Sequence, residues 1–197
     1  MNYLAHLFLA GKNENLIIGN FIADHVKGKG IDRFSPEIRR GIKMHRAIDE
    51  FTDKHPQVQL SILRLRPVYR KYSGVIVDMF YDHYLAKEWS QYSDISLSSF
   101  TEACYAVLMK NFDNLPARSQ RILPHMMRHN WLLSYSRIEG LQQALTGMSN
   151  RTTFISKMEN AVDDLNKCYE CYQEEFRQFF PELQAYALKE FVNGNQE

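Results

Sequence analysis

Residues 35–54 read SPEIRRGIKMHRAIDEFTDK, and this stretch decides the fold. Ser35 is a capping residue, Pro36 suits the first helical position, and Glu37 favours the positive end of a helix dipole. Ile38, Ile42, Met44, Ile48 and Phe51 follow at roughly helical spacing. A helix is predicted over 36–54, ending before His55-Pro56. On it, His45 and Asp49 stand four residues apart and share a face.

The helical pattern extends in both directions, with glycine and proline where helices should begin or end. Upstream, residues 2–10 form a short apolar helix closed by Gly11, 14–26 a second helix, and 28–34 a basic loop. Downstream, a helix starts at Pro56, with Pro67 as a break or restart, and a strongly apolar one covers Val75 to Glu88. Ser99-x-x-Glu102 is a capping-box pattern for a helix through about Asn111. Pro116 opens another, which Pro124 should kink or divide, and Gly140 and Gly147 punctuate the next segment. The last stretch, 151–192, carries Phe154, Met158, Val162, Leu165 and Tyr169 at helical spacing and is interrupted by Pro181. Strand-like alternation is scarce, so the expected fold is all-α, a single domain over 1–197.

The chain has 197 residues, 45% hydrophobic and 24% charged, values of a folded globular protein rather than a disordered one. Its net charge of +1 lacks the basic excess of a general nucleic-acid binder. The charge is uneven. Asp24 to Arg46 holds seven basic and three acidic residues, whereas Glu159 to Glu197 holds nine acidic and three basic. A cationic front of that kind suits an anionic partner. Cys104, Cys168 and Cys171 are too few for a disulfide framework, and Cys168-x-x-Cys171 reads as two neighbouring thiols on a helix. No apolar stretch approaches the ~18 residues of a membrane span, and no basic region precedes the first apolar run. A cytoplasmic protein is expected.

Several titratable residues sit in apolar surroundings. His6 lies among Leu4, Leu7, Phe8 and Leu9; Asp78 and Asp82 lie among Val75, Ile76, Val77, Met79 and Phe80; His83 follows Asp82, and Asp24 ends the second helix. Charges in such helices are costly to bury unless paired or metal-bound, and inward carboxylates and histidines are one way to build a metal site from helices. Mixed imidazole and carboxylate donors suit manganese, iron or magnesium better than structural zinc. On the residues alone the pattern supports either a metal site or a non-catalytic helical binding module whose buried polar residues only fix the packing.

The residues resemble the acyl carrier protein phosphodiesterases. The resemblance lies in Met1-Asn2-Tyr3-Leu4-Ala5-His6-Leu7, in Gly19-Asn20 with Ala23-Asp24, and in Met44-His45-Arg46-x-Ile48-Asp49 with Thr52-Asp53. It continues through Asp78-x-x-x-Asp82-His83 and Trp89 to Trp131-Leu132, Tyr135, Gly147-Met148 and Arg151. It implies a cytoplasmic, manganese-dependent helical enzyme, distantly related to the HD phosphohydrolases. Such an enzyme is a metal-dependent phosphodiester hydrolase that removes 4'-phosphopantetheine from holo-acyl carrier protein; the alternative is an HD-type phosphohydrolase acting on a nucleotide or other small phosphoester. The doublet here is Asp82-His83, the reverse of the HD order. On this reading Asp24, His45, Asp49, Asp78 and Asp82 are the candidate metal ligands. His6 or His83 would protonate the leaving oxygen, and Arg46 would clamp the phosphate. Arg39, Arg40 and Lys43, just upstream of His45, would dock the acidic carrier protein.

Overall fold

A computed structural model describes residues 1–192; positions 193–197, the end of the expected domain and of its acidic tail, lie outside the described residues. Eleven α-helices and no strand are found among the described residues. They are α1 (Tyr3–Leu9), α2 (Glu14–Ile22), α3 (Pro36–Lys54), α4 (Pro56–Tyr69), α5 (Ser73–Lys87), α6 (Leu97–Lys110), α7 (Ala117–Arg128), α8 (Trp131–Ser134), α9 (Ile138–Ser149), α10 (Ala161–Lys167) and α11 (Tyr169–Ala187). The expected all-α fold is what the chain adopts.

Helix α3 runs over the expected span. The Ser35 hydroxyl accepts from the Ile38 N–H at 3.4 Å, and His55 both closes α3 and caps α4 by accepting from the Gln57 N–H at 3.3 Å. At the centre lies α5, packed against α1, α4, α9 and α11. Its residues from Ile76 to Ala86 are buried apart from Asp78, which is half-buried, so it is apolar nearly all round, as a core helix must be. Aromatic side chains of α5 and α11 meet edge to face, Phe80 on Tyr172 at 5.2 Å and Tyr81 on Phe176 at 5.5 Å. Each such ring contributes about 2 kcal/mol by burial, before conformational entropy is counted.

Helices α2 and α3 cross unusually closely. A Cβ on Gly19 would lie 2.6 Å from the Gly41 Cα, and one on Gly41 would lie 2.8 Å from the Gly19 Cα. Only glycine at both positions permits this approach. It sets the end of α2, and Asp24 just beyond it, against the middle of α3.

Several helix boundaries differ from the sequence reading. Pro67, Pro124 and Pro181 lie inside α4, α7 and α11 without dividing them. All three are on exposed faces, where water can take the carbonyl that the missing N–H leaves free. The real divisions are at Asn130, which adopts φ 40°, and at Cys168, whose φ of −142° is not helical. Gly140 and Gly147 lie within α9, and Gly140 is there because α8 presses on it: a Cβ would collide with the Ser134 carbonyl. The cap of α6 is Ser96, not Ser99, and the Glu102 carboxylate accepts from Ser98 instead of closing a capping box. The segment 28–34 is mostly a 3-10 helix, Gly28–Arg33, and 23–25 is a 3-10 turn. Phe154, expected on a helical stripe, is exposed in an irregular segment. Cys168 and Cys171 are joined as a disulfide, where neighbouring thiols were expected. No helix is long and apolar enough to cross a membrane among the described residues.

Candidate metal centre and adjoining cavity

Four elements converge on one site. Helix α1 supplies His6, α3 supplies His45 and Asp49, the turn after α2 supplies Asp24, and α5 supplies Asp78. Asp49 is the hub. Its Oδ1 lies 3.1 Å from His6 Nε2 and its Oδ2 lies 3.2 Å from His45 Nε2. Asp24 Oδ1 is 3.3 Å from the same His45 nitrogen. The two imidazoles stack with ring centres 3.8 Å apart. Donor atoms of His6, His45 and Asp49 all lie within 4.8 Å of one another, a grouping able to hold a metal ion.

Stacked rings at that distance disfavour a positive charge on both, and their surroundings decide which one holds it. Burial and the charge of His45 lower the His6 pKa to about 4. Burial also works against charge on His45, but hydrogen bonds to Asp24 and Asp49 overturn that and raise its pKa to about 9. Burial pushes Asp49 upward, yet the hydrogen bonds from His45 and His6 hold it well below the usual carboxylate range. The Met1 ammonium lies 2.9 Å from Asp78 Oδ1 and 3.8 Å from Asp49 Oδ1. Burial disfavours its charge, and the carboxylates around it, Asp78 first, outweigh that and raise its pKa.

Of the expected ligands, His45 and Asp49 are in the cluster, Asp24 touches it through His45, and Asp78 borders it through the Met1 ammonium. The structure does not bring Asp82 to it. This fully buried carboxylate caps α1, accepting from the backbone N–H groups of Asn2, Leu4 and Ala5 at 3.3, 2.8 and 3.3 Å. Burial raises its pKa to about 7 against those donors. His6, expected as an acid, is instead one of the three cluster donors.

His83 is also placed elsewhere. Its Nδ1 is 2.7 Å from the Tyr135 carbonyl oxygen and its Nε2 is 2.7 Å from the Tyr169 hydroxyl, so both nitrogens are engaged inside the core. Burial lowers its pKa, which means the folded state binds its proton less readily than the unfolded chain. The stability this group contributes is therefore complete above its unfolded pKa, about 6.5, and is lost as pH falls below it. His83→Phe is expected to cost about 2 kcal/mol at pH 7.5 by orphaning Tyr135 and Tyr169, and less at pH 5. Urea unfolding at the two pH values measures this, with bound metal unchanged. A fully folded variant lacking activity would return His83 to the chemistry.

Arg46 donates to the Val26 carbonyl oxygen at 3.1 Å and does not line the cavity described next. Arg39 donates to the carbonyls of Phe34 and Asp32, and Arg40 to that of Phe191, while Lys43 is exposed.

Beside the cluster opens a cavity of about 1010 Å³. Met1, Asp24 and Asp78, the groups that touch the cluster, form part of its wall. Ile122, Trp131, Tyr135, Ala144 and Met148 provide apolar wall, and Arg118, Arg121 and Arg151 provide positive charge. Sequence reasoning gave those arginines no chemical role, although Arg151 stands among the residues that carry the family resemblance; Arg118 and Arg121 are three residues apart on α7, which places them on one face.

Two buried imidazoles sharing a partly exposed carboxylate beside a roomy cavity have the layout of a ligand or active site. The family model for acyl carrier protein phosphodiesterase matches residues 1–183. The chain belongs to that family. A Serratia proteamaculans protein named acyl carrier protein phosphodiesterase is 30% identical over 188 residues, covering 95% of this chain and 97% of that protein. One of the same name from Escherichia coli is 33% identical over 192 residues, covering 96% and 98%. No solved structure gives a significant match.

Proposed function

We propose that this protein hydrolyses the phosphodiester of holo-acyl carrier protein, releasing 4'-phosphopantetheine and leaving the apo carrier. The observation that carries this reading is the convergence of His6, His45 and Asp49 on one point, with Asp24, bound to His45, reaching the cavity wall. The names of the relatives supply the substrate class.

The donor set fits a divalent cation. Two imidazole Nε2 atoms point at one carboxylate, and a cation there would take the place of the protons they now share. His6, His45 and Asp49 would hold it, with manganese the expected ion. When bound, it would neutralise charge on the phosphoryl oxygens and lower the pKa of a water. The chain's own groups do the rest. Asp24, largely exposed and tethered to His45, is positioned to orient the attacking water. The Met1 ammonium holds Asp78 beside the cavity and keeps that side of the wall from being wholly anionic. Lys43, with Arg39 and Arg40 ordered by backbone carbonyls, forms the docking face on α3 for the acidic carrier protein.

Intact mass spectrometry of holo-acyl carrier protein tests the reading. The carrier should lose one phosphopantetheine group per molecule, chelation should stop the loss, and manganese should restore it. Full activity in metal-free protein overturns the metal assignment. Phosphate release from nucleotides with no change in the carrier overturns the substrate.

A further inference from the structure

Five other arginines are held by pairing that the three cavity arginines lack among the described residues. Arg39, Arg40, Arg46, Arg64 and Arg177 each donate to a carboxylate or a carbonyl oxygen. The guanidinium groups of Arg118, Arg121 and Arg151 make no hydrogen bond or ion pair among the described residues, although all three line one cavity. Three guanidinium groups facing shared space repel one another and are stabilised by an anion between them.

Their placement ties them to the cluster. Tyr3, itself on the cavity wall, is close enough to feel the charges of Asp24, Arg118 and Arg151, all of which line the same space. A 2.7 Å hydrogen bond between His25 Nδ1 and the buried Ser119 hydroxyl fastens the turn carrying Asp24 to α7, which carries Arg118 and Arg121. Ile122, Trp131 and Met148 line the same space with apolar surface. A ligand suited to this cavity has a phosphate ester at one end and a largely uncharged arm at the other.

We propose that Arg118, Arg121 and Arg151 form a phosphate subsite that receives the substrate's phosphoryl group and retains the released phosphate monoester, with the arm along Trp131 and Met148. The proposal rests on the phosphodiesterase reading above for the identity of the arm. It assigns to these residues the phosphate contact that the sequence placed on Arg46.

Calorimetry on the intact protein tests it with three probes: 4'-phosphopantetheine, pantetheine lacking the phosphate, and inorganic phosphate. Wild type should bind phosphopantetheine at least about tenfold more tightly than pantetheine. Arg118→Gln, Arg121→Gln and Arg151→Gln should each weaken phosphopantetheine and phosphate about tenfold, leave pantetheine unchanged, and lower kcat/KM on holo-acyl carrier protein in parallel. Should a glutamine variant fail to fold, the lysine variant keeps the charge without the bidentate fork and should fall between. Variants that bind phosphopantetheine as wild type does overturn the subsite, even if wild type cleaves the carrier. Arginine-dependent phosphate binding in a protein that leaves the carrier intact would uphold the subsite and overturn the substrate.

Discussion

Asp49→Asn should give a folded protein that holds no stoichiometric divalent metal and releases phosphopantetheine at least about 10³-fold more slowly, roughly 4 kcal/mol in the barrier. The asymmetry of the amide is the reason. Each Asp49 oxygen faces one imidazole, at 3.1 and 3.2 Å. Asparagine offers one acceptor and one donor there, and removes the negative charge that a cation shared with His6 and His45 would need. The lost charge also removes one of the two carboxylates that raise the His45 pKa. The side chain is 41% exposed, so stability should change by only about 1 kcal/mol. Metal analysis, thermal unfolding and single-turnover kinetics on one sample separate these effects. Normal metal content with activity within tenfold of wild type would exclude Asp49 from the centre.

Gly19→Ala should be among the most damaging single-methyl changes in the molecule. The new Cβ would meet the Gly41 Cα at 2.6 Å and its carbonyl carbon at 2.8 Å. These are backbone atoms with no rotamer to relax, so α2 and α3 must part along their length. A cost of about 4 kcal/mol is expected, a fall in Tm on the order of 10 °C. Because His45 is on α3 and Asp24 follows α2, metal affinity should fall in whatever fraction remains folded. A Tm within about 2 °C of wild type would show that the two helices can part at little cost.

Much of this was legible in the chain and some was not, for physical reasons. Helix α3 announces itself because its cap, its first proline and its apolar stripe are all local signals. His45 and Asp49 were readable as a pair because four residues on one helix fix their relation. His6 could not be assigned as their partner, because its position depends on how α1 meets α3. Asp82 misled for a related reason: a carboxylate among apolar residues looks the same whether it binds a metal or caps a helix. The amides it caps are 77 to 80 residues away. Prolines 67, 124 and 181 read as breaks because sequence does not show which carbonyl faces water. The arginine wall joins α7 to the segment after α9, a meeting that no local pattern encodes.

The capping of α1 by Asp82 makes part of the active site conditional. A seven-residue helix has almost no stability of its own, since isolated helices need ~12–15 residues to persist in water. Helix α1 exists because α5 offers its N-terminus a carboxylate and a surface to lie on. His6 is therefore absent from the site whenever α1 lifts from α5, an opening that also exposes Leu4 and Leu7. Such a molecule would keep most of its helical signal in circular dichroism and lack the His6 donor. Hydrogen exchange at the Leu4 and Ala5 amides, the two α1 donors held by Asp82, would report that opening directly.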